Sequence, residues 1–290
     1  MEKQSSPPLI FDRDLLHARL RRALAKEAPD VLLARAADDL LDRLQTVKRD
    51  FPRSLDLGTP TDHFAQAIVA SGRAAPLRAG RIGGGVVADE EALPFAPASF
   101  DLVVSGMALQ WVNDLPGVFA QVRRILAPDG LFLACLPGGA SLVELRVALA
   151  QAEEEITGGA SPRVSPFVDV RDMGGLLQRA GFALPVSDVD NFTLRYDSVL
   201  GLMKDLRAMG AANVLAKRSS RPLRRDVLAR AAQIYAEQFS DPDGRVRASF
   251  EIVWISGWAP HESQQKPAKP GSATMRLEDA MKAGRPIPEK

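Results

Sequence analysis

Apolar residues recur at helical spacing among charged ones over 15–47, and the Pro29-Asp30 step divides that stretch. The spacing predicts two amphipathic helices ahead of the rest of the chain. The pattern then changes. Arg53-Ser54-Leu55-Asp56-Leu57-Gly58 predicts a short buried strand that ends in an acid and a glycine. Residues 84–88 predict a second strand running into Asp89-Glu90. After a proline-rich turn, Phe100-Asp101-Leu102-Val103-Val104-Ser105 predicts a third, whose β-branched residues suit a strand buried on both faces. Residues 115–126 return to helical spacing and stop at Pro128-Asp129-Gly130, a turn in which proline presets φ and glycine admits positive φ. Residues 131–136 form the fourth predicted strand.

Strand, helix, turn and strand in this order imply a right-handed crossover, and its repetition predicts a Rossmann-like α/β core with a parallel sheet covered on both faces. Helices follow at 141–156 and 170–180, the second closed by Gly181 as a C-cap. A strand at 182–189 precedes helical stretches at 198–209 and 222–238. The turn Asp241-Pro242-Asp243-Gly244 then leads into a final strand over 249–258. The helices inserted before that last strand are expected to cap the site, over roughly 197–240. Lysine, proline and glycine dominate from Gln264 onward, which predicts an extended tail. Three regions are therefore expected: a tail with helices over 1–50, the α/β domain over 51–260, and the extended tail over 261–290.

Composition narrows the chemistry. Lys+Arg 37 against Asp+Glu 36 leaves a formal charge of +1, which gives no general attraction to nucleic acid or to an anionic membrane. The single cysteine, Cys135, forms no internal disulfide and lies in an apolar run, as a buried inert thiol does. His17, His63 and His261 are far apart and show no metal-ligand spacing, so no metal is expected. Residues 1–8 are polar and proline-bearing, without the apolar run of a secretory signal, and no stretch is long enough to span a bilayer. The expected location is the cytoplasm, free or docked peripherally through a partner.

Ligands of an open parallel sheet bind outside the carboxyl ends of the strands, which directs attention to Gly58, Asp89 and Ser105 with their loops. Asp56-Leu57-Gly58 resembles the first half of the glycine-rich motif of class I S-adenosylmethionine-dependent methyltransferases. Ala88-Asp89-Glu90-Glu91-Ala92-Leu93-Pro94-Phe95 resembles that family's loop whose acid contacts the adenine amine. The resemblance implies the same fold and cofactor, with Asp56, Gly58, Asp89, Glu90 and Ser105 as cofactor-binding candidates. The loop departs from the pattern at two places. Pro60 and Asp62 stand where the family carries glycines, removing a backbone donor and adding a carboxylate, which weakens a site for the ligand's own carboxylate. Residues 74–85 also hold no counterpart of the family's ribose-binding acid.

A longer ordered set of motifs carries a closer resemblance. It comprises Phe11-Asp12-Arg13-Asp14-Leu15, the 88–95 loop, Trp111-Val112-Asn113-Asp114-Leu115-Pro116, Gly138-Gly139, Glu144-Leu145-Arg146, Ser165-Pro166-Phe167, Asp205-Leu206 with Met209-Gly210, and Gly257-Trp258. The tail adds His261-Glu262-Ser263-Gln264, Pro267-Ala268 and Gly271-Ser272-Ala273. Together these resemble the methyltransferase-fold assembly factor five of mitochondrial respiratory complex I and its bacterial relatives. A looser likeness, without the tail, links the core to the malonyl-carrier-protein methyltransferase of biotin synthesis.

The closer resemblance implies a role in complex I assembly, acting on a peripheral-arm subunit by arginine hydroxylation or methylation. A non-catalytic assembly chaperone with a degenerate cofactor loop, and a carrier-protein or small-molecule methyltransferase, are the alternative classes. Trp111 lines the substrate mouth or anchors the following helix. Glu144 and Arg146, two apart near a helix start, are substrate candidates or members of a solvated face. His261 and Glu262 make a tail contact or dock a substrate or partner.

Overall fold

The computed structural model describes residues 9–26, 30–219 and 221–265; Pro29 of the helix break and the tail motifs at 267–268 and 271–273 lie outside them. The chain divides into two compact units, Met1–Pro260 and His261–Lys290. The first unit opens with helices α1 (Arg13–Leu24) and α2 (Val31–Thr46), then β1 (Ser54–Leu57), α3 (His63–Ala70) and β2 (Leu77–Ala79). β3 (Phe100–Gly106), α4 (Leu115–Ile125), β4 (Leu126–Pro137), α5 (Val143–Thr157) and α6 (Val170–Arg179) continue the alternation. It closes with β5 (Ala183–Tyr196), α7 (Val199–Ala208), α8 (Arg225–Phe239) and β6 (Val246–Trp258).

The six strands form one sheet in the order β2-β1-β3-β4-β6-β5. β1, β2, β3 and β4 pair in parallel, whereas β6 runs antiparallel to both β4 and β5. The expected all-parallel sheet is thus corrected at one strand. The apolar run of β6 is the same read in either direction, so its sequence does not encode which way it enters the sheet. Two further differences concern the first crossover. The second strand is Leu77–Ala79, while 84–88 is a loop lying against it, joined by the Ala79–Val86 bridge and by Gly85 N and Val86 N donating to Arg78 O at 2.9 Å. Between β1 and β2 lies the short helix α3, which the pattern of 59–72 did not announce.

Alternate residues of the central strands feed two cores, as the pleat requires. Val103 and Phe132 face α4 and α6, meeting Phe119, Val122, Met173 and Leu177. Leu102, Val104 and Leu133 face α2 and α3, meeting Leu40, Leu44, Phe64 and Ile68. A third cluster joins α5, α7 and α8 to the first half of β6 through Leu202, Ile234, Tyr235 and Phe250, building a helical layer beyond the end of the sheet.

Phe64 is fully buried and stacks on Trp254 with ring centroids 6.3 Å apart. Its ring lies so close to Gly106 that a Cβ there would sit 2.6–2.8 Å from it. Gly106→Ala therefore forces the ring or β3 aside, at a cost of about 1–3 kcal/mol. Thermal unfolding should show the variant melting several degrees below the parent, and an unchanged melt would remove this contact from the account of the core.

Candidate functional site

The carboxyl ends of β1, β3 and β4 open on one side of the sheet, and three loops meet there. After β1, Gly58 adopts φ +73°, a conformation that favours glycine. Its N–H donates to Ala79 O at 2.8 Å, tying the loop to the end of β2. After β3, a 3-10 turn Leu109–Trp111 carries Trp111 inward. After β4, Gly138-Gly139 leads into Ser141, whose hydroxyl donates to Glu251 O on β6 at 2.9 Å.

These loops border two spaces of very different size. A cavity of about 580 Å³ lies under the helical layer and is lined by Pro60, Asp62, His63, Trp111, Leu145 and Glu251 among others. Beside Gly58, against Glu90 and His17, the remaining space is only about 20 Å³. Leu20, Pro60, Met107 and Trp111 form part of both linings.

The small space is small because protein fills it. The Glu90 side chain, 9% exposed, lies against two glycines: a Cβ at Gly58 would sit 3.1 Å from Glu90 Cγ and Oε1, and one at Gly80 3.4 Å from Oε1. Arg13, the first residue of α1, closes over it. Its Nη1 is 2.6 Å from Asp89 Oδ1 and 2.9 Å from Glu91 Oε2, and its Nη2 pairs with Glu90 Oε2. Arg81 Nη2 holds the other Asp89 oxygen at 2.7 Å. Burial works against ionising Asp89, but the Glu91 N–H and the Arg13 guanidinium outweigh it and hold the carboxyl below its usual range. For Glu90 burial wins and raises it. His17, on the same helix, is pushed down to about 4 by burial and by the neighbouring Arg13 charge, so it stands neutral.

The remaining candidates fall in several places. Asp56 is 1% exposed within β1, with Oδ2 3.4 Å from Arg78 Nε. Burial pushes its carboxyl up to about 7 against the pull of Thr59 and Arg78. Ser105 is fully buried, and its hydroxyl donates to Leu57 O at 2.7 Å, so it ties β3 to β1 and faces no cleft. Trp111 borders the cavity, and its ring packs edge-on at 5.5 Å against Phe11 ahead of α1, not against the helix that follows it. The solvated reading of Glu144 is corrected. Its buried carboxylate accepts from Ser249 N at 3.1 Å and from Ser249 Oγ at 2.5 Å, clamping α5 to β6. Arg146 turns the other way, its Nη1 reaching Gly139 O at 3.3 Å. Asp62 is exposed, and its Oδ2 accepts from Gln66 Nε2 at 2.8 Å at the rim of the large cavity. In the second unit, His261 Nδ1 and Ser263 Oγ are 2.8 Å apart, and both His261 and Glu262 are exposed. Arg13, His17 and Glu251 were not singled out by the sequence; Arg13 stood inside a quoted motif, but its acidic partners lie 76 to 78 residues away.

With Arg13 and Glu90 where they stand, a nucleoside does not fit in the space beside Gly58. A ligand of that size needs about 300 Å³ or more, and the cradle formed by Gly58 and Gly80 holds Glu90 instead. Among the described residues no three His, Cys, Asp or Glu side chains gather as a metal site requires, and no helix is long and apolar enough to cross a membrane.

Comparison with known proteins matches residues 59–134 to the methyltransferase domain family. The arginine-hydroxylase NDUFAF5, mitochondrial, of Danio rerio is 37% identical over 292 residues, covering 95% of this chain and 91% of its own length. The chain belongs to the NDUFAF5 family. A malonyl-[acyl-carrier protein] O-methyltransferase of Methylovorus sp. (strain MP688) is 35% identical over 271 residues, covering 84% of this chain and 89% of its own. Among solved structures, the YcgJ protein of Bacillus subtilis superimposes with a TM-score of 0.51 at 14% identity, covering 77% of this chain and 99% of its own. The fold is that of class I methyltransferases. In this chain the methyltransferase scaffold carries Arg13 and Glu90 in the space beside Gly58.

The buried acid of β1 yields a pH test. The folded Asp56 carboxyl keeps its proton up to about 7, whereas the ordinary value is 3.8. Between those values the folded chain binds more proton than the unfolded chain, so this group subtracts stability as pH rises, by about 1.4 kcal/mol per unit at most. Asp56→Asn removes that loss. The melting temperature of the variant minus that of the parent should grow from about pH 4 to about pH 7 and then level off; a difference that stays flat would contradict a proton on Asp56.

Proposed function

We propose that this protein acts in the assembly of respiratory complex I by modifying an arginine on a peripheral-arm subunit, by hydroxylation or methylation. The observation that carries the reading is the identity with an arginine-hydroxylase along 95% of the chain. The large cavity supports it chemically. Its apolar walls, among them Leu142, Leu145, Leu149 and Met203, suit an alkyl stem, and Asp30, Asp62 and Glu251 supply carboxylates for a cationic head. His63 Nε2 lies 3.0 Å from Asp30 Oδ2, which leaves Asp62 and Glu251 as the acceptors for a guanidinium. Arg163, also in the wall, is neutralised by Glu153 at 2.5 Å. S-adenosylmethionine is the cofactor the fold suggests, with Asp56, Gly58, Asp89 and Glu90 as its candidate contacts and Ser105 supporting the loop. Trp111 and Arg146 border the approach of the partner segment, and His261 and Glu262 are candidate docking residues outside the α/β unit.

A second reading, a non-catalytic assembly chaperone, is favoured by one observation: Arg13 and Glu90 occupy the nucleoside end of the cleft. Mass spectrometry of the peripheral-arm subunits from cells with and without this protein separates the two. An arginine gaining one oxygen or one methylene only when the protein is present is the expected result. Loss of complex I with every subunit unmodified would instead establish the chaperone, and normal complex I in the deletion strain would remove both. Within the leading reading, Glu251→Gln and Asp62→Asn should each lower the yield of modified arginine by about tenfold, the worth of one charge-assisted hydrogen bond. Yields unchanged in both variants would exclude this end of the cavity.

A further inference from the structure

Helix α1 has two working faces. Arg13, Leu16 and His17 fill the space beside Gly58, while Ala23 and Leu24 form wall of the large cavity, and Leu20 belongs to both. The segment before the helix is hooked in place. Asn113 Oδ1 accepts from Ile10 N at 2.7 Å and from Phe11 N at 2.8 Å. Phe11 and Leu215 form an antiparallel bridge, flanked by Asp12 N to Val214 O and Ala216 N to Ile10 O, each 2.8 Å. Arg19 Nη1 donates to Asn213 O at 2.7 Å, and Asp12 pairs with Arg218 at 3.0 Å. Buried apolar contact here is confined to the small cluster of Phe11, Leu16, Trp111, Val214 and Leu215, separate from the cores of the sheet, and the side-chain anchors around it are hydrogen bonds and ion pairs at partly exposed positions. Such a satellite cluster opens at lower cost than the main core.

The polar end of α1 satisfies acids that a nucleoside would otherwise satisfy. A guanidinium presents five N–H donors in a fixed fork, and here it engages Asp89, Glu90 and Glu91 with only 11% of the Arg13 side chain exposed. Ribose hydroxyls and an adenine amine are donors of the same kind, and Gly58 and Gly80 leave backbone bare of side chain beside Glu90. The charged group in that cradle is Glu90, held there by Arg13, with the Ala108 methyl beside it against Gly58.

We infer that α1 is a removable plug: Arg13 holds Asp89 and Glu90 in place of a nucleoside ligand, and such a ligand binds only when α1 has left the cleft. This rests on the reading of the cleft as that of an S-adenosylmethionine-type enzyme. Because the same helix walls the large cavity, its departure opens both spaces, so that nucleoside binding and entry of the partner segment favour one another through a single element. The apparent affinity of the closed protein for nucleoside is reduced by the fraction of molecules in which α1 is out.

The test measures S-adenosylhomocysteine binding by calorimetry on the full chain in three forms: the parent, Arg13→Gln, and the double variant Phe11→Cys/Leu215→Cys. Residues 11 and 215 are a non-hydrogen-bonded antiparallel pair, whose Cα separation of about 4.5 Å admits a disulfide. The native Cys135 is buried and does not compete. Arg13→Gln should bind at least about tenfold more tightly than the parent, and amide exchange over 13–24 should accelerate when ligand is added to the parent. The oxidised double variant should bind at least about tenfold more weakly than the same protein after reduction, a comparison that cancels the loss of the two apolar side chains. Equal affinity in all forms overturns the plug, and so does binding in none of them. Neither of those results bears on whether an arginine of a complex I subunit is modified, which the mass measurement decides separately.

Discussion

Asp89, Glu90 and Glu91 bring three carboxylates into one turn of chain, and Glu90 is almost wholly removed from water. Left alone, that concentration of negative charge in a desolvated cleft would be costly, and the turn would open to water or protonate. The Arg13 guanidinium makes the closed form possible by engaging all three. Once it is seated, the direction of α1 is set, because Arg13 is the first helical residue and Asp12 caps the helix by accepting from Leu15 N. From that direction follow the placement of His17 beside Gly58, the position of Leu20 between the two spaces, and the docking of residues 10–12 on the 213–218 segment. A charge cluster of this kind contributes little net stability compared with apolar packing. Its contribution is to specify one arrangement of the helix over the cleft.

The sheet supplies the rigid frame against which that arrangement is defined. Parallel strands β1, β3 and β4 bring their carboxyl ends to one side, and Ser105 fastens β3 to β1 with a bond to Leu57 O inside the core. β6 enters in the opposite sense and so returns Glu251 and Phe250 to the same side, where they join the wall of the large cavity. Glu144 and Ser141 fix the start of α5 to β6 at Ser249 and Glu251. The helical layer of α5, α7 and α8 is thereby attached to the reversed strand, which is why the cavity is roofed instead of open.

Much of this architecture was legible in the chain. The runs at 54–57, 100–106 and 131–136 read as buried strands because leucine, valine and phenylalanine dominate the longer two and alternate with Ser54 and Asp56 in the first. The cap helices read as helices because each has one apolar stripe, such as Val227, Ala231, Ile234 and Tyr235 on α8. β2 was illegible: it has three residues at the sheet edge, with Leu77 exposed, and the glycine-rich 83–85 beyond it mimics a strand approach. α3 was hidden by its eight-residue length and by the prolines and polar residues before it. The burial of Glu144 was also unreadable, since a charged residue in the first turn of a helix looks the same whether it meets water or a serine 105 positions away.

Sequence alone determined the class of fold, because hydrophobic periodicity and turn chemistry are local properties written at fixed spacings, and the ordered motifs carried the resemblance to the family. It also determined that the loop after β1 departs from a full set of glycines, at Pro60 and Asp62. Only the tertiary structure decided what fills the cleft. Arg13 meets its carboxylates across 76 to 78 residues, and whether a charged side chain is solvated, paired or buried depends on what packs over it. The direction of β6 and the volume of the cavity were decided in the same way, since an apolar strand has no sense of direction until its neighbours assign one, and a void belongs to no residue. Local chemistry fixes what each segment can become; desolvation and pairing, which exist only between segments, fix which of those possibilities is realised.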